Sequence, residues 1–174
     1  MINPFRRSYT VEELNLFRFM RSNKLFAELN NEELMNFVPY LYLREYKKKE
    51  VVFFRGDPSQ ALYLIKSGTV SLFIDIDDKF ETLTSLGTSQ SFGDNALLYN
   101  TKRYYNAIVE SEFCELYVIP QANLHEIFNA NVKIRASMFA ALAAQFNQLT
   151  INLFESYQAS FGFFDLGQIY QRLS

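Results

Sequence analysis

The spacing of apolar residues changes twice along the chain, from helical to alternating and back to helical. Near the start, Thr10 and Glu13 have the spacing of a capping box, and apolar residues then recur every three to four positions. This spacing predicts a first helix over residues 10–21. A second short helix is predicted after Asn30, and we expect Pro39 to end or bend it.

Over residues 41–119 the apolar positions alternate with polar ones, as they do in half-buried strands. Seven or eight short strands are predicted, separated by turn signals at residues 55–59, at Ser67 and Gly68, and at residues 77–79. Short strands at regular spacing favour an antiparallel sandwich or barrel over a parallel sheet.

Helical spacing returns after Pro120, where a short amphipathic helix is predicted, followed by a long helix over residues 132–157. The long helix carries a narrow apolar seam with alternating spacings of three and four residues: Phe139, Leu142, Phe146, Leu149 and Leu153. Such a seam packs either on the chain's own barrel or on a second copy. The length of the helix and the narrowness of the seam favour a homodimer.

Composition narrows the choice of partners and compartment. The 174 residues carry a formal net charge of −2, and Lys47–Lys49 is a lone basic run that we interpret as a solvated turn. Proteins that bind nucleic acid usually carry an excess of basic residues. This chain has no such excess, so we expect no direct nucleic-acid binding. The single cysteine excludes an internal disulfide, and no signal peptide or membrane-spanning run is visible, which predicts a cytoplasmic protein with no membrane contact.

The chemistry-bearing residues give no basis for an enzyme. His125 is the only histidine and Cys114 the only cysteine, so neither a zinc site nor a Cys–His nucleophile pair can be built, and both residues are interpreted as structural. The sequence contains no phosphate-binding P-loop, no dinucleotide-binding glycine motif and no serine nucleophile elbow. We therefore expect a non-enzymatic protein without a metal or cofactor.

One stretch within the strand region, residues 91–103, breaks the alternation. Gly93 allows a sharp turn or a close approach of the backbone to a ligand, and the residues after it are predicted to form one helical turn. The N-terminus of such a turn presents unpaired N–H groups that suit a phosphate. Arg103 adds a planar fork of donors that matches two phosphate oxygens. The alternatives to ligand binding are that Asp94 only caps the helical turn and that Arg103 is a surface residue.

Residues 92–97, followed by Arg103, resemble the phosphate-binding cassette of cyclic nucleotide-binding domains of the catabolite activator and protein kinase A regulatory type. The likeness extends to residues 50–57, 62–70 and 114–120, and covers roughly residues 25–157. It implies a mainly β fold with flanking helices, a double-stranded β-helix (jelly-roll) barrel followed by a long C-terminal helix. The implied divisions are N-terminal helices (1–38), the barrel (39–120), two helices with the dimer seam (121–158) and a helical tail (159–174).

The same resemblance implies a ligand, cAMP or cGMP, and a set of ligand-binding residues. These are Phe92, Gly93, Asp94, Asn95, Ala96, Arg103, Tyr104, Tyr105 and Thr150. The N–H groups of Asp94, Asn95 and Ala96 would face the cyclic phosphate, and Arg103 would pair with it. Asp94 would also accept the ribose 2′-hydroxyl, and Thr150 on the long helix would touch the base. The resemblance thus implies a regulatory module whose long helix transmits ligand binding.

Four positions depart from the family pattern. Asp94 stands where the family has the longer Glu, Tyr104 and Tyr105 follow Arg103 where it has small residues, and Lys49 replaces a turn glycine. Two functions therefore stay open. One is a cyclic-nucleotide sensor, in which a tyrosine hydroxyl can supply a substitute hydrogen bond. The other is a degenerate interaction or dimerisation module, in which Tyr104 and Tyr105 fill the pocket.

The last residues suggest a third alternative, a truncated transcription regulator. Residues 161–173 are predicted to be helical from Asp165, and they resemble the linker and first helix that lead into a DNA-binding domain. A helix-turn-helix needs a further helix, which the sequence does not contain, so direct sequence-specific DNA binding is not expected.

Overall fold

The structure is a computed structural model that describes residues 8–76 and 79–161. The chain divides into two compact units, residues 1–139 and 140–174. All described strands and the first three helices belong to the first unit. The predicted tail helix from Asp165 lies outside the described residues.

The first helix, α1 (Val11–Arg21), begins where the sequence predicts it. The Thr10 hydroxyl accepts the Glu13 N–H at 3.1 Å, and the Glu13 carboxylate accepts the Thr10 N–H at 2.8 Å. This reciprocal pair satisfies two of the N–H groups that a helix start leaves without partners. The capping-box prediction is confirmed.

The second helix, α2 (Asn31–Met35), is shorter than predicted. Asn30 caps its start, but the helix stops before Pro39, which lies in a separate 3₁₀ turn (Val38–Tyr40). The Asn36 side chain donates to the carbonyls of Glu32 and Glu33 at 2.9 and 3.1 Å. A side chain that takes up these carbonyls competes with helix continuation, so Asn36 rather than proline marks the end.

In the described ranges, eight strands follow the N-terminal helices and confirm the mainly β jelly-roll fold. They are β1 (Tyr42–Lys47), β2 (Val51–Phe53), β3 (Ala61–Ser67), β4 (Val70–Ile76), β5 (Lys79–Leu86), β6 (Ser91–Phe92), β7 (Asn106–Val109) and β8 (Phe113–Pro120). They pair antiparallel in two four-stranded sheets, with the orders β1-β8-β3-β6 and β2-β7-β4-β5. Neighbouring strands in each sheet are mostly distant in sequence, as expected when one long hairpin winds into a barrel.

The barrel core is built from the inward positions of both sheets. Its buried members are Phe53, Ile65, Val70, Leu72, Phe92, Ala107, Val109, Cys114 and Leu116. Cys114 is 1% exposed on β8, so its predicted role as a small buried apolar residue is confirmed. Burying one such aliphatic or aromatic side chain contributes about 1.5–3 kcal/mol relative to leaving it in water.

Gly68 and Lys49 have a left-handed backbone in turns of the barrel. Gly68, between β3 and β4, has φ +90°, and a Cβ there would lie 2.6 Å from the Phe113 carbonyl oxygen, so this turn requires glycine. The turn joins strands of different sheets, so β3 and β4 do not form the hairpin that the turn signal at Ser67 and Gly68 suggests. Lys49 has φ +70°, which explains why the family carries a glycine here. A residue with a Cβ costs about 1–2 kcal/mol in this conformation. The Lys49 N–H donates to the Val109 carbonyl at 2.8 Å, which offsets part of that cost.

Two helices follow the barrel: α3 (Gln121–Ala130) and α4 (Val132–Phe161). Asn131 separates them, and its side-chain oxygen accepts the N–H groups of Lys133 and Ile134 as an N-cap. The long helix therefore starts where predicted and extends four residues further than predicted. Within the described ranges, no helix is long and apolar enough to cross a bilayer.

Candidate ligand-binding site

The Arg103 side chain is buried in the barrel, with 3% of its surface exposed. Its Nη1 donates to the Gly93 carbonyl at 3.0 Å and to Asn95 Oδ1 at 3.1 Å, and its Nη2 donates to the Ala61 carbonyl at 2.6 Å. The guanidinium carbon also lies 4.2 Å from the centroid of the Phe53 ring, in cation–π range. The surface interpretation of this arginine is wrong.

The turn over residues 55–59 holds the Arg103 backbone in place. The Arg103 N–H donates to the Asp57 carbonyl at 2.8 Å, and the Gly56 N–H donates to the Arg103 carbonyl at 3.0 Å. Asp57 in turn accepts the Phe54 N–H with its carboxylate, which fixes the turn itself. A segment that is remote in sequence therefore fixes where the guanidinium enters the barrel.

The expected helical turn after Gly93 is present as a 3₁₀ turn, Asp94–Leu97, here called the cassette turn. Gly93 has φ +74°, and a Cβ on it would lie 2.5 Å from Arg103 Nη1, so only glycine lets the arginine approach this closely. The Ala96 N–H, expected to face a phosphate, donates instead to the Gly93 carbonyl at 2.9 Å. That donor is satisfied within the turn.

Asn95 connects the cassette turn to the segment that carries Arg103. Its side chain is 7% exposed; it accepts from Arg103 and donates to the Lys102 carbonyl at 2.6 Å. Thr101 donates to the Asn95 carbonyl at 2.8 Å. The family resemblance implies a site role for the Asn95 backbone N–H group. In the structure it is the Asn95 side chain that bonds to Arg103 and to the Lys102 carbonyl, and so orients the arginine.

Asp94 is half-buried, and its Oδ1 atom is inaccessible to water and has no hydrogen-bond partner among the described residues. Burial raises the pKa of this carboxyl group to about 6, although a Ser91 hydrogen bond and the Arg103 charge act in the opposite direction. Burial likewise lowers the pKa of Arg103, whose Nε is a second buried atom without a partner in the described ranges. The site therefore holds one donor and one acceptor with unused hydrogen-bonding capacity.

Tyr104 and Tyr105 lie in different environments. The Tyr104 side chain is 66% exposed, so the expectation that it fills the pocket is wrong. The Tyr105 hydroxyl accepts the Gly93 N–H at 3.0 Å, and its ring lies 5.8 Å from that of Phe53. Burial raises the pKa of Tyr105 to about 12, with a contribution from the Asp94 charge, so the phenol stays protonated.

The aromatic wall of the site includes two residues that the sequence reasoning missed. Phe53 on β2 lies against the guanidinium, and the Tyr63 ring on β3 stacks on that of Phe92 with centroids 5.0 Å apart. Both are inward positions of alternating strands, so the alternation marked them as core, but no local signal placed them beside Arg103. Phe92, predicted as a site residue, belongs to this wall and is 1% exposed.

The first residue of α3 connects the cassette turn to the helical segment. The Gln121 side chain donates to the carbonyls of Ala96 and Leu98 at 3.1 and 2.8 Å. Thr150, the predicted base contact, belongs to the second unit, where its exposed hydroxyl donates to the Phe146 carbonyl at 2.8 Å. Its role towards a base stays a prediction.

The arrangement can bind an anion inside a barrel. Arg103 supplies a permanent positive charge, and an anion that replaces its neutral carbonyl partners forms stronger, charge-assisted bonds. No group of three or more histidine, cysteine, aspartate or glutamate residues that could hold a metal occurs in the described part of the chain.

Comparison with known proteins identifies a family whose model includes the cassette turn and Arg103. Residues 43–131 match the family model described as "Cyclic nucleotide-binding domain". The cAMP-dependent protein kinase type II regulatory subunit of Drosophila melanogaster is 33% identical over 101 residues, which are 58% of this chain and 26% of the relative. The cyclic AMP receptor protein of Thermus thermophilus is 36% identical over 90 residues, 51% of this chain and 42% of the relative. The matched part of the chain thus spans less than half of the length of these relatives.

The fold comparison agrees with the sequence comparison. The crystal structure of the Thermus thermophilus catabolite activator protein superposes with a TM-score of 0.67 and 28% identity, over 78% of this chain and 64% of that one. The family model covers just over half of the chain and includes the cassette turn, Arg103 and most of the strands. The chain therefore belongs to the cyclic nucleotide-binding domain family.

Proposed function

We propose that this chain is a regulatory module that binds a cyclic nucleotide, cAMP before cGMP, with the cyclic phosphate on Arg103. The observation that carries the proposal is the unused hydrogen-bonding capacity of two buried atoms on ionisable side chains, Arg103 Nε and Asp94 Oδ1. Native proteins rarely leave such atoms unpartnered, because each costs about 1–3 kcal/mol. A ligand with an anionic oxygen and a hydroxyl group satisfies both.

Binding requires an exchange of partners at Arg103. In the structure its Nη atoms are held by the Gly93 and Ala61 carbonyls and by Asn95 Oδ1. A cyclic phosphate carries a full negative charge, so its bonds to the guanidinium are about twice as strong as those to neutral carbonyls. The low dielectric of the barrel strengthens this preference further.

Asp94 and the long helix complete the proposed mode of binding. Asp94 Oδ1 is an acceptor for the ribose 2′-hydroxyl, and the cassette turn N–H groups of Asp94 and Asn95 are the remaining candidates for phosphate contact. Thr150 on α4 is the candidate for base contact. For α4 to transmit ligand binding, the protein must adopt at least two arrangements of this helix. The nucleotide must bind these arrangements with different affinities. The names of the relatives, which specify cAMP, favour that nucleotide over cGMP.

A degenerate interaction module is the second candidate, and a specific observation favours it. The Tyr105 hydroxyl holds the Gly93 N–H, and the Ala96 N–H is bonded within the cassette turn, so two backbone donors of the motif already have partners. In that case the function lies in α4, whose seam residues Phe146, Leu149 and Leu153 are 41%, 53% and 61% exposed. A homodimer through this seam is compatible with both candidates and is proposed for both.

The test is isothermal titration calorimetry with cAMP and cGMP on the wild type, Arg103→Ala, Arg103→Lys and the exposed control Arg44→Ala. We expect saturable cAMP binding that weakens at least about thirtyfold in Arg103→Ala, because truncating one partner of a buried charged contact costs about 2–5 kcal/mol. Arg103→Lys keeps the charge but loses the fork, so it should fall in between. Arg44→Ala should bind like the wild type.

Circular dichroism and thermal melts establish whether each variant is folded. If Arg103→Ala does not fold, the loss of nucleotide affinity is measured with Arg103→Lys instead. Absence of heat with either nucleotide at millimolar concentration, from folded wild-type protein, would overturn the sensor and leave the interaction module. Equal affinities for wild type and Arg103→Lys would show that the phosphate does not lie on this residue.

A further inference from the structure

A cavity separate from Arg103 lies beside the loop after the cassette turn and the junction of α3 and α4. It has a volume of about 350 Å³, and the rings of four residues line it: Tyr99, His125, Phe128 and Phe139. All of its lining residues belong to the first unit, and none belongs to the cyclic-nucleotide site. A volume of this size is within the range of small-molecule pockets.

The four rings form a continuous aromatic wall. His125 stacks on Tyr99 with centroids 3.7 Å apart and an interplanar angle of 15°. Phe128 meets His125 edge-on at 6.0 Å, and Phe139 meets Phe128 edge-on at 5.7 Å. Phe128 and His125 are 1% and 8% exposed, so they support the wall from behind, while Tyr99 and Phe139 are the rings with accessible surface. A planar aromatic group can pack against such ring surfaces.

The charge of the cavity is positive and comes from a single residue. Arg135 lines the cavity, is exposed, and forms no ion pair with any residue in the described ranges. No aspartate or glutamate lies among the lining residues. His125 is 8% exposed, and burial lowers its pKa, so the imidazole adds no positive charge at neutral pH. The guanidinium is therefore available to an anion.

We propose that this cavity binds a small aromatic carboxylate, with its ring against the four-ring wall and its carboxylate on Arg135. A carboxylate matches the planar fork of the guanidinium. A neutral aromatic compound would use the wall and leave the charge unmatched. The cavity is distinct from the proposed cyclic-nucleotide site, because its lining includes neither Arg103 nor a residue of the cassette turn.

The experiment is a titration of ¹⁵N-labelled protein with 2-naphthoate, followed by NMR chemical shifts and repeated with the neutral 2-naphthamide. We expect saturable shifts of the Tyr99, Phe128 and Arg135 amides, with a Kd of about 1 mM or tighter. Arg135→Gln should weaken 2-naphthoate binding about tenfold and leave 2-naphthamide binding unchanged. The matched control is Arg44→Gln, an exposed arginine on β1 outside the cavity, which should bind 2-naphthoate like the wild type.

Two further variants separate this proposal from the others. Ala136→Leu adds bulk at a lining position on α4, where leucine favours the helix, and should abolish binding of both compounds. Arg103→Lys should keep its 2-naphthoate affinity, whether or not it binds a nucleotide. Absence of saturable shifts in the wild type, equal affinity for the acid and the amide, or unchanged binding in Ala136→Leu would each overturn the proposal.

Discussion

Asp94 carries its carboxylate in a place where the fold supplies few hydrogen bonds. Burial raises its pKa from the ordinary 3.8 to about 6, so the ionised form is less stable in the folded protein than in the unfolded chain. The folded state therefore binds more protons than the unfolded state between about pH 4 and 6. Stability from this residue is fully present below about pH 4 and is lost as the pH rises through 6.

Asp94→Asn should therefore stabilise the protein at pH 7.5 and lose about two thirds of that advantage at pH 4.5. The expected gain at pH 7.5 is at most about 3 kcal/mol, because each unit of pKa shift corresponds to about 1.4 kcal/mol. Urea unfolding at both values of pH measures it. Asp75→Asn is the control: an Asn106 hydrogen bond lowers the Asp75 pKa, so removing this carboxylate should destabilise the protein at both values of pH. An Asp94→Asn effect that does not change with pH would contradict the argument.

The contrast between Tyr104 and Tyr105 shows what could be predicted at single positions. Arg103 and Tyr105 share the inner side of the segment before β7, while Tyr104 is exposed, a period of two that the sequence already contained. The Tyr105 hydroxyl bond to Gly93 could not be predicted, because it depends on how two strands distant in sequence meet. The same holds for the Ala61 carbonyl that receives Arg103.

At the scale of elements, local sequence signals predict which segments are strands or helices more accurately than they predict where those segments end. β4 lies between the turn signals predicted at Ser67 and Gly68 and at residues 77–79, and α1 begins where its capping box requires. The end of α2 was misplaced, because Asn36 takes up the last carbonyls before Pro39 is reached. Pairing of β3 with β6 and β8 depends on tertiary contacts, and no local signal in the sequence predicts it.

The glycine turns allow a matched test of two connections between the sheets. Gly56 and Gly68 have almost the same φ, +89° and +90°, so alanine strains both by about 1–2 kcal/mol. A Cβ on Gly56 meets nothing within 4 Å, whereas one on Gly68 lies 2.6 Å from the Phe113 carbonyl. Gly68→Ala should thus lower the free energy of unfolding by about 1–3 kcal/mol more than Gly56→Ala, measured by urea denaturation. Equal losses of unfolding free energy in the two variants would contradict this prediction. They would show that the β3–β4 turn shifts to accommodate the added Cβ at no energetic cost.

At the scale of the whole molecule, the exposed seam of α4 bears on how many chains form the functional unit. Within the second unit, Phe146, Leu149 and Leu153 lie on one face of the helix, spaced three and four residues apart, and each is at least 41% exposed. Large apolar side chains repeated at this spacing are typical of a helix that packs on a second helix. The family to which the chain belongs does not by itself specify an oligomeric state.

The double variant Leu149→Gln, Leu153→Gln should convert a dimer into a monomer, measured by sedimentation velocity. Glutamine keeps helix propensity close to that of leucine, so only the apolar contact is removed. The matched control is Ala144→Gln, Ile151→Gln: both positions are exposed on the opposite face of α4, and Ile151 is itself 40% exposed. A wild type that sediments as a dimer, a control that does the same and a seam variant at half that mass would support the interface. A wild-type monomer at high micromolar concentration would exclude the seam as a homodimer contact, and a dimer that both variants preserve would place the interface elsewhere.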